Sequence, residues 1–392
     1  MKRTNFETKA IRIQTDRSAQ REHSSALYLT SSFVFEDAEQ ARSLFAGESA
    51  GNIYTRFSNP NQDEFVAKLC ALEDAEDGIA TASGMAAVFA GIAGLLRSGD
   101  HLLSSRAVFG STHQILTQIL PGWGIQYSYV EASRPDTWEA ALRPETRMFF
   151  LETPSNPGLE IVDLKLAGEF CARHGLLLNV DNCFATPYLQ NPALWGAHLV
   201  THSATKFIDG QGRVIGGAVV GKRDLIEQLR FFVRHTGPAL SPFNSWVLSK
   251  SLETLAVRMD RHCKNALQLA RRLQKLEGLG RVKYPFLDSH PQKEIARRQM
   301  KAGGGLLTFE LPGGVEQGRQ FLNELKMLSH SANLGDSRSI ATHPASTTHS
   351  KLSLAERQAV GIGEGLIRIS VGLEHPDDIY SDIVQAVKKS TV

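Results

Sequence analysis

The chain has 392 residues, 42% of them hydrophobic and 21% charged, which excludes wholesale disorder and suffices for about two domains around a large core. Forty-three Lys and Arg stand against 41 Asp and Glu, a net charge of +2, too little for an electrostatic nucleic-acid footprint. The longest apolar run, Ala86 to Leu96, falls well short of the ~20 residues of a bilayer span.

The N-terminal residues Met1 to Asn5 are basic but lead into polar sequence with no apolar leader region, so a cytoplasmic protein is expected. Cys70, Cys171, Cys183 and Cys263 are too far apart for a C-x-x-C or zinc pattern, and read as reduced thiols with no metal site.

Residues 1–60 are dense in polar and hydroxyl side chains, as at Thr30-Ser31-Ser32, with weak periodicity. Gly51 to Asn61 reads as a loop from its Gly, Asn and Pro. Such a segment cannot bury itself alone, and an arm contacting a neighbouring subunit is expected. From residue 62 the pattern is regular. Apolar residues at Phe65, Val66, Leu69 and Leu72 predict a helix over Gln62 to Leu72. A strand at Gly78 to Thr81 precedes a helix over Gly84 to Arg97. A strand at His101 to Ser104 precedes a helix near Ser111 to Ile119. Strands follow at Ile125 to Val130 and Met148 to Leu151, a helix at Asp163 to His174, and strands at Leu176 to Val180 and Leu199 to Thr201. This alternation predicts an α/β fold, a mostly parallel sheet flanked by helices, over residues 61–257. Residues 222–276 read as helical with a pause at Gly237-Pro238 and Ser241-Pro242. Strands at Gly304 to Leu311 and Leu366 to Val371, with helices at Val315 to Lys326 and Pro376 to Lys388, predict a smaller α+β domain over 258–392.

Three features carry chemistry. In Thr201-His202-Ser203-Ala204-Thr205-Lys206 a strand ends and two hydroxyls flank a lysine. A lysine in a dry pocket has a lowered pKa and can form a Schiff base, and Ser203 and Thr205 could hold a phosphate beside it. Asp181 closes the strand Leu178-Asn179-Val180, at a carboxyl end, where open α/β sheets bind ligands. Ser83-Gly84-Met85 turns a strand into a helix, where free amides and the helix dipole favour an anion. No Walker A run is present, and Gly361-Ile362-Gly363-Glu364-Gly365 does not fit the dinucleotide fingerprint. A Schiff-base lysine, a strand-end aspartate and a phosphate turn together describe a pyridoxal 5'-phosphate (PLP) site.

These residues fall within a longer ordered set: Tyr54-Thr-Arg56, Ser83-Gly84-Met85, Glu152-Thr-Pro-Ser-Asn156-Pro157, Asp181-Asn182, Ser203-Ala-Thr205-Lys206, His343-Pro-Ala-Ser346 and Arg368-Ile-Ser-Val-Gly372. Nearly end to end, the chain resembles the PLP enzymes of Cys/Met metabolism, which include cystathionine synthases and lyases, methionine γ-lyase and the acylhomoserine sulfhydrylases. The resemblance implies PLP fold type I, like that of aspartate aminotransferase. It implies that Lys206 carries the cofactor and moves protons, and that Asp181 pairs with the pyridine nitrogen. Asn156 would bind the ring hydroxyl, and Ser83, Gly84, Met85, Ser203 and Thr205 the phosphate. Tyr54, with a catalytic part, and Arg56 would reach the cofactor of a neighbouring subunit, in a homotetramer built from active-site-sharing dimers. Arg368 would clamp the substrate α-carboxylate.

Within the family, a tyrosine that stacks on the cofactor ring is replaced here by Phe109, which can stack but cannot donate a proton. A thiolate leaving group, pKa near ~8.5, wants an acid, whereas a carboxylate near ~4.3 leaves unaided. Phe109 therefore fits an O-acyl leaving group. The run Asp209-Gly210-Gln211-Gly212-Arg213 and Asn333 resemble the O-succinylhomoserine sulfhydrylase branch. Its members make homocysteine from O-succinylhomoserine and sulfide. Arg213 is assigned to the distal succinyl carboxylate, and Asn333 to the substrate site. The alternatives are cystathionine γ-synthase, γ-lyase, or a PLP- or phosphate-binding module without activity.

Overall fold

In the computed structural model, residues 4–347, 350, 353, 354, 357 and 361–390 are described. Helices α1 (Phe6–Arg12) and α2 (Ala38–Ala46) lie in the N-terminal segment, whose weak periodicity predicts no helix. Next come α3 (Pro60–Glu73), β1 (Asp77–Thr81), α4 (Gly84–Ala93), β2 (His101–Ser105) and α5 (Gly110–Gln114), the last continued by a π-helical turn, Ile115–Ile119. They are followed by β3 (Gln126–Val130), α6 (Asp136–Ala140), β4 (Thr146–Glu152), α7 (Leu164–His174), β5 (Leu177–Asp181), α8 (Thr186–Leu189), β6 (Leu199–Ser203) and β7 (Gly217–Gly221).

The starts of these helices obey local chemistry. Pro60 opens α3 behind Asn59, whose side chain accepts from the Asn61 amide. Ser83 caps α4 by accepting from Ala86 N at 3.1 Å. Asp163 caps α7, which stops at Gly175 in the left-handed region. Such caps satisfy amides that a helix start leaves unpaired. α4 ends at Ala93, short of the Arg97 expected from its apolar run.

The seven strands run in the order β1-β7-β6-β5-β4-β2-β3. All pairs are parallel except β7, which is antiparallel to β1 and β6. β7 lay hidden in a glycine-rich stretch of the sequence. Its Gly217 faces the Ser83 carbonyl so closely that any side chain would collide, so the strand needs glycine where it passes the turn into α4. The strand interiors are apolar, as with Phe149, Leu151, Leu178 and Val180, because helices cover both faces.

The second unit contains α9 (Arg223–Thr236), α10 (Pro242–Leu252), α11 (Leu255–Leu273), β8 (Val282–Lys283), α12 (Lys293–Gln299), β9 (Leu306–Glu310), α13 (Gly314–Glu324), β10 (Ser329–His330), β11 (Ile340–Thr342), β12 (Leu366–Ser370) and α14 (Pro376–Ser390), of which α9 still packs on the first sheet and α10 on α3. Its five-stranded sheet has the order β10-β11-β12-β9-β8. Phe309, Phe321, Ile367, Ile379 and Leu273 form its core. Residue 257 lies inside α11, so continuous helix passes the expected domain boundary.

Residues 6–25 are fastened to their own chain. Phe6 packs edge-on to Tyr188 at 5.1 Å. The buried Glu64 carboxylate accepts from Thr15 N, Ser25 Oγ and Ser249 Oγ and pairs with Lys68 at 3.1 Å. Beyond them Leu29, Val34 and Phe45 are exposed.

Candidate active site

The carboxyl ends of β4, β5 and β6 converge with the N-terminus of α4 on a cavity of about 210 Å³. Ser83, Gly84, Met85, Phe109, Asn156, Asp181, Ser203, Thr205, Lys206 and Arg368 all line it. Ten residues singled out along the sequence, up to 285 positions apart (368 − 83), thus meet at one place.

Lys206 follows β6. Its Nζ lies 2.7 Å from Asn333 Oδ1, and burial, reinforced by the nearby Arg368 charge, lowers its pKa. Arg258 holds the turn after it, donating to the Phe207, Ile208 and Ser251 carbonyls. The loop bearing Asn333 can rest on Lys206 because Gly335, at φ +77°, leaves no Cβ to strike the Phe207 amide.

Asp181 is buried and accepts from Cys183 N at 3.0 Å. Burial raises its pKa to about 6, against the pull of that amide and of His202. Its strand neighbour is Glu152, opposite it in register. Glu152 accepts from the Phe109 amide at 2.8 Å and the Asn156 amide at 2.9 Å. Burial, and then the Asp181 charge, hold the Glu152 carboxyl well above the usual carboxylate range. Two such acids cannot both ionise freely in a dry site.

Arg368 sits on β12, wholly buried. Nη1 donates to Asn156 Oδ1 at 2.8 Å, and Nη2 to the Asn333 carbonyl and Thr342 Oγ1, both at 3.3 Å. None of these partners is an acid, and Nε has no partner. Burial lowers its pKa to about 10. A guanidinium so placed lacks a counter-anion, and a ligand carboxylate supplies one.

Tyr54 and Arg56 lie elsewhere. With Leu29 and Pro242 they line a separate opening of about 410 Å³. The Arg56 guanidinium stacks 4.9 Å from the Phe57 ring and donates to the Arg234 carbonyl. Arg213 borders a third opening with Thr205 and Asn333. Its guanidinium is engaged by Asp209, at 3.0 Å, and by Ser251.

Sequence reasoning missed several lining residues. Glu152 stood in the quoted run ending at Pro157, and its place at the end of an apolar strand was the available signal. Thr112, whose buried Oγ1 has no partner, and Cys183 carried no signal.

Residues 7–388 match the family described as Cys/Met metabolism PLP-dependent enzyme. An O-succinylhomoserine sulfhydrylase of Pseudomonas aeruginosa is 46% identical over 97% of this chain and 95% of its own length. This chain belongs to that family. An L-methionine gamma-lyase of Fusobacterium nucleatum subsp. polymorphum is 42% identical over 93% of both chains. A crystal structure of a putative O-acetylhomoserine (thiol)-lyase from Campylobacter jejuni, carrying a pyridoxyl-lysine phosphate, superposes with a TM-score of 0.95 at 32% identity. It covers 98% of this chain and 100% of that one.

The site fits the family's PLP cofactor. Gly84 and Met85 line the cavity at the start of α4, where a helix N-terminus favours phosphate, and a Cβ at Gly84 would lie 2.6 Å from Ser203 Oγ. Thr112 Oγ1 and Arg368 Nε, without partners among the described residues, would supply polar groups for a ligand, Asp181 an anion for a ring nitrogen, and Lys206 an amine for the aldehyde.

Proposed function

We propose that the chain converts O-succinylhomoserine and sulfide to homocysteine and succinate. The observation that carries this reading is Phe109 in the cavity that joins Lys206, Asp181 and Arg368. Among the described residues no phenol lines that cavity, and a carboxylate leaving group needs none. The likeness to an O-succinylhomoserine sulfhydrylase over nearly the whole chain supports it.

Bound PLP supplies an electron sink for negative charge developing beside the substrate amino group. Asp181 would keep the ring nitrogen protonated. Ser83, Gly84, Met85, Ser203 and Thr205 would hold the phosphate, Phe109 would stack on the ring, and Asn156 would take the ring hydroxyl. Arg368 binds the substrate α-carboxylate and so fixes which α-carbon bond faces Lys206. Lys206, once free, takes the α-proton and relays a proton at the β-carbon. The Cγ–O bond breaks, and succinate departs with the electron pair. Hydrosulfide forms the Cγ–S bond, and Lys206 returns a proton to Cα. Its lowered pKa favours the neutral amine needed for the first step. Asn333 accepts from Lys206 Nζ and holds the amine between steps.

Tyr54 and Arg56 serve the cofactor of a neighbouring subunit in this reading, within a cytoplasmic homotetramer. Their separation from the chain's own cavity supports it, as do the exposed Leu29, Val34 and Phe45. The Arg213 contacts with Asp209 and Ser251 favour a role in shaping the entrance over binding the distal carboxylate.

The test supplies purified protein with O-succinylhomoserine, with sulfide and cysteine in competition, and O-acetylhomoserine in parallel. Homocysteine from the succinyl ester is expected. Cystathionine as the main product makes the enzyme a γ-synthase, and keto acid formed without a thiol makes it a γ-lyase.

A further inference from the structure

Side chains alternate along β6, so His202 points away from the sheet face that carries Ser203. Behind the cavity it meets Glu73, the last residue of α3. Glu73 Oε1 lies 2.6 Å from His202 Nε2 and accepts from Asn182 Nδ2 at 2.8 Å. All three side chains are buried. Asn182 directly follows Asp181, and His202 directly precedes Ser203. The Asn182 amide also donates to the Thr201 carbonyl at 3.0 Å, tying the end of β5 to β6. Asn182 Oδ1 accepts from Gln190 Nε2, which also donates to the Thr153 carbonyl next to Glu152. One polar cluster thus clasps the ends of the three strands that carry Glu152, Asp181 and Ser203.

Apolar side chains would join these strands without burying an acid. Instead Glu73 Oε2 and His202 Nδ1 remain without partners among the described residues, a cost that a purely structural clasp does not require. We propose that Glu73 and His202, with Asn182, are positioning residues for the cofactor: from behind the sheet they fix Asp181 and Ser203 and set the electrostatic field at the Asp181 carboxylate. This rests on the PLP reading above. The titratable groups around Asp181 are Glu152 on β4, Cys183 on its own turn with Lys206 beyond it, and His202 on β6. His202 in turn faces Glu73 on α3. Burial drives Asp181 towards its neutral form, which cannot hold a ring proton, and the Cys183 amide and His202 oppose it.

The experiment compares wild-type, Glu73→Gln and His202→Gln holoenzymes. In both variants the PLP dissociation constant is expected to rise and kcat to fall by about tenfold, the usual scale for losing a group that orients a ligand. The KM for O-succinylhomoserine should stay within about twofold, because Arg368 is untouched. The midpoint of the pH-dependent visible absorption of bound PLP should move. If Glu73→Gln is not recovered folded, His202→Gln and Asn182→Ser carry the same readouts. Variants that melt earlier yet keep the wild-type PLP affinity and absorption midpoint overturn the positioning role. Wild-type protein that takes up no PLP overturns the cofactor reading itself, a separate outcome.

Discussion

Arg368 shows how much of a binding site rests on one side chain. Its buried guanidinium has only neutral partners among the described residues. Lysine at this position keeps the charge but loses the planar fork. Arg368→Lys is expected to cost about 2 kcal/mol, roughly thirtyfold in kcat/KM, as a charge-assisted pair is weakened, chiefly through KM in steady-state assays. Lys206→Ala should abolish turnover and the absorption of lysine-bound PLP while leaving the melting temperature of the PLP-free protein nearly unchanged, since among the described residues this side chain has one hydrogen bond. Full retained activity would remove Lys206 from the mechanism. Glu152 is a different kind of residue. Its oxygens hold the amides of both Phe109 and Asn156, so Glu152→Ala frees at once the two residues proposed to contact the ring. A loss of PLP affinity larger than that of Phe109→Ala is expected by absorbance titration.

At the scale of elements, α3 carries an unusual load. Lys68, with no exposed side-chain surface, pairs with Glu64 and with Glu253 at 3.0 Å, and so locks α3 to α10 and to residues 15–25. Lys68→Ala leaves Glu64 without its cation and should destabilise the fold by about 3–5 kcal/mol, as for other broken buried pairs, measured by urea denaturation. The same cluster sets an acid limit. Although burial alone would raise it, hydrogen bonds from Ser249, Ser25 and the Thr15 amide, with the Lys68 charge, bring the Glu64 pKa down to about 2. The unfolded value is near ~4.3. Its folded pKa being the lower, Glu64 stabilises the protein fully above pH ~4.3 and loses that contribution as pH falls towards 2. Glu64→Gln should therefore show a shallower loss of stability across that window in acid titrations followed by circular dichroism.

At the scale of the molecule, the separation of Arg56 from its own Lys206 makes a complementation test decisive. A mixed dimer of Lys206→Ala and Arg56→Ala subunits contains one complete site if Arg56 acts across the interface, and none if it acts within its own chain. Co-refolded mixtures are therefore expected to regain activity that neither variant shows alone. Equal inactivity of mixture and parents places Arg56 within its own site.

The sequence by itself determined much of this protein. Lys206, Asp181 and the Ser83 turn were legible because each stands where an apolar strand ends, and β/α alternation depends on local periodicity and capping. It left β7 unseen, since its glycines reflect close contacts with Ser83 at one end and His198 at the other and carry no local propensity. It left α1 and α2 unseen, since their weak periodicity gave no signal and α1 owes its place to packing on Tyr188. It offered Arg213 as a free cation, which the fold hands to Asp209 and Ser251. Only the tertiary structure set Glu152 beside Asp181, left Arg368 without an acid, and put Glu73 and His202 behind the cavity. Those are relations between residues far apart in the chain, fixed by strand register and by burial, and burial is a property of the whole fold.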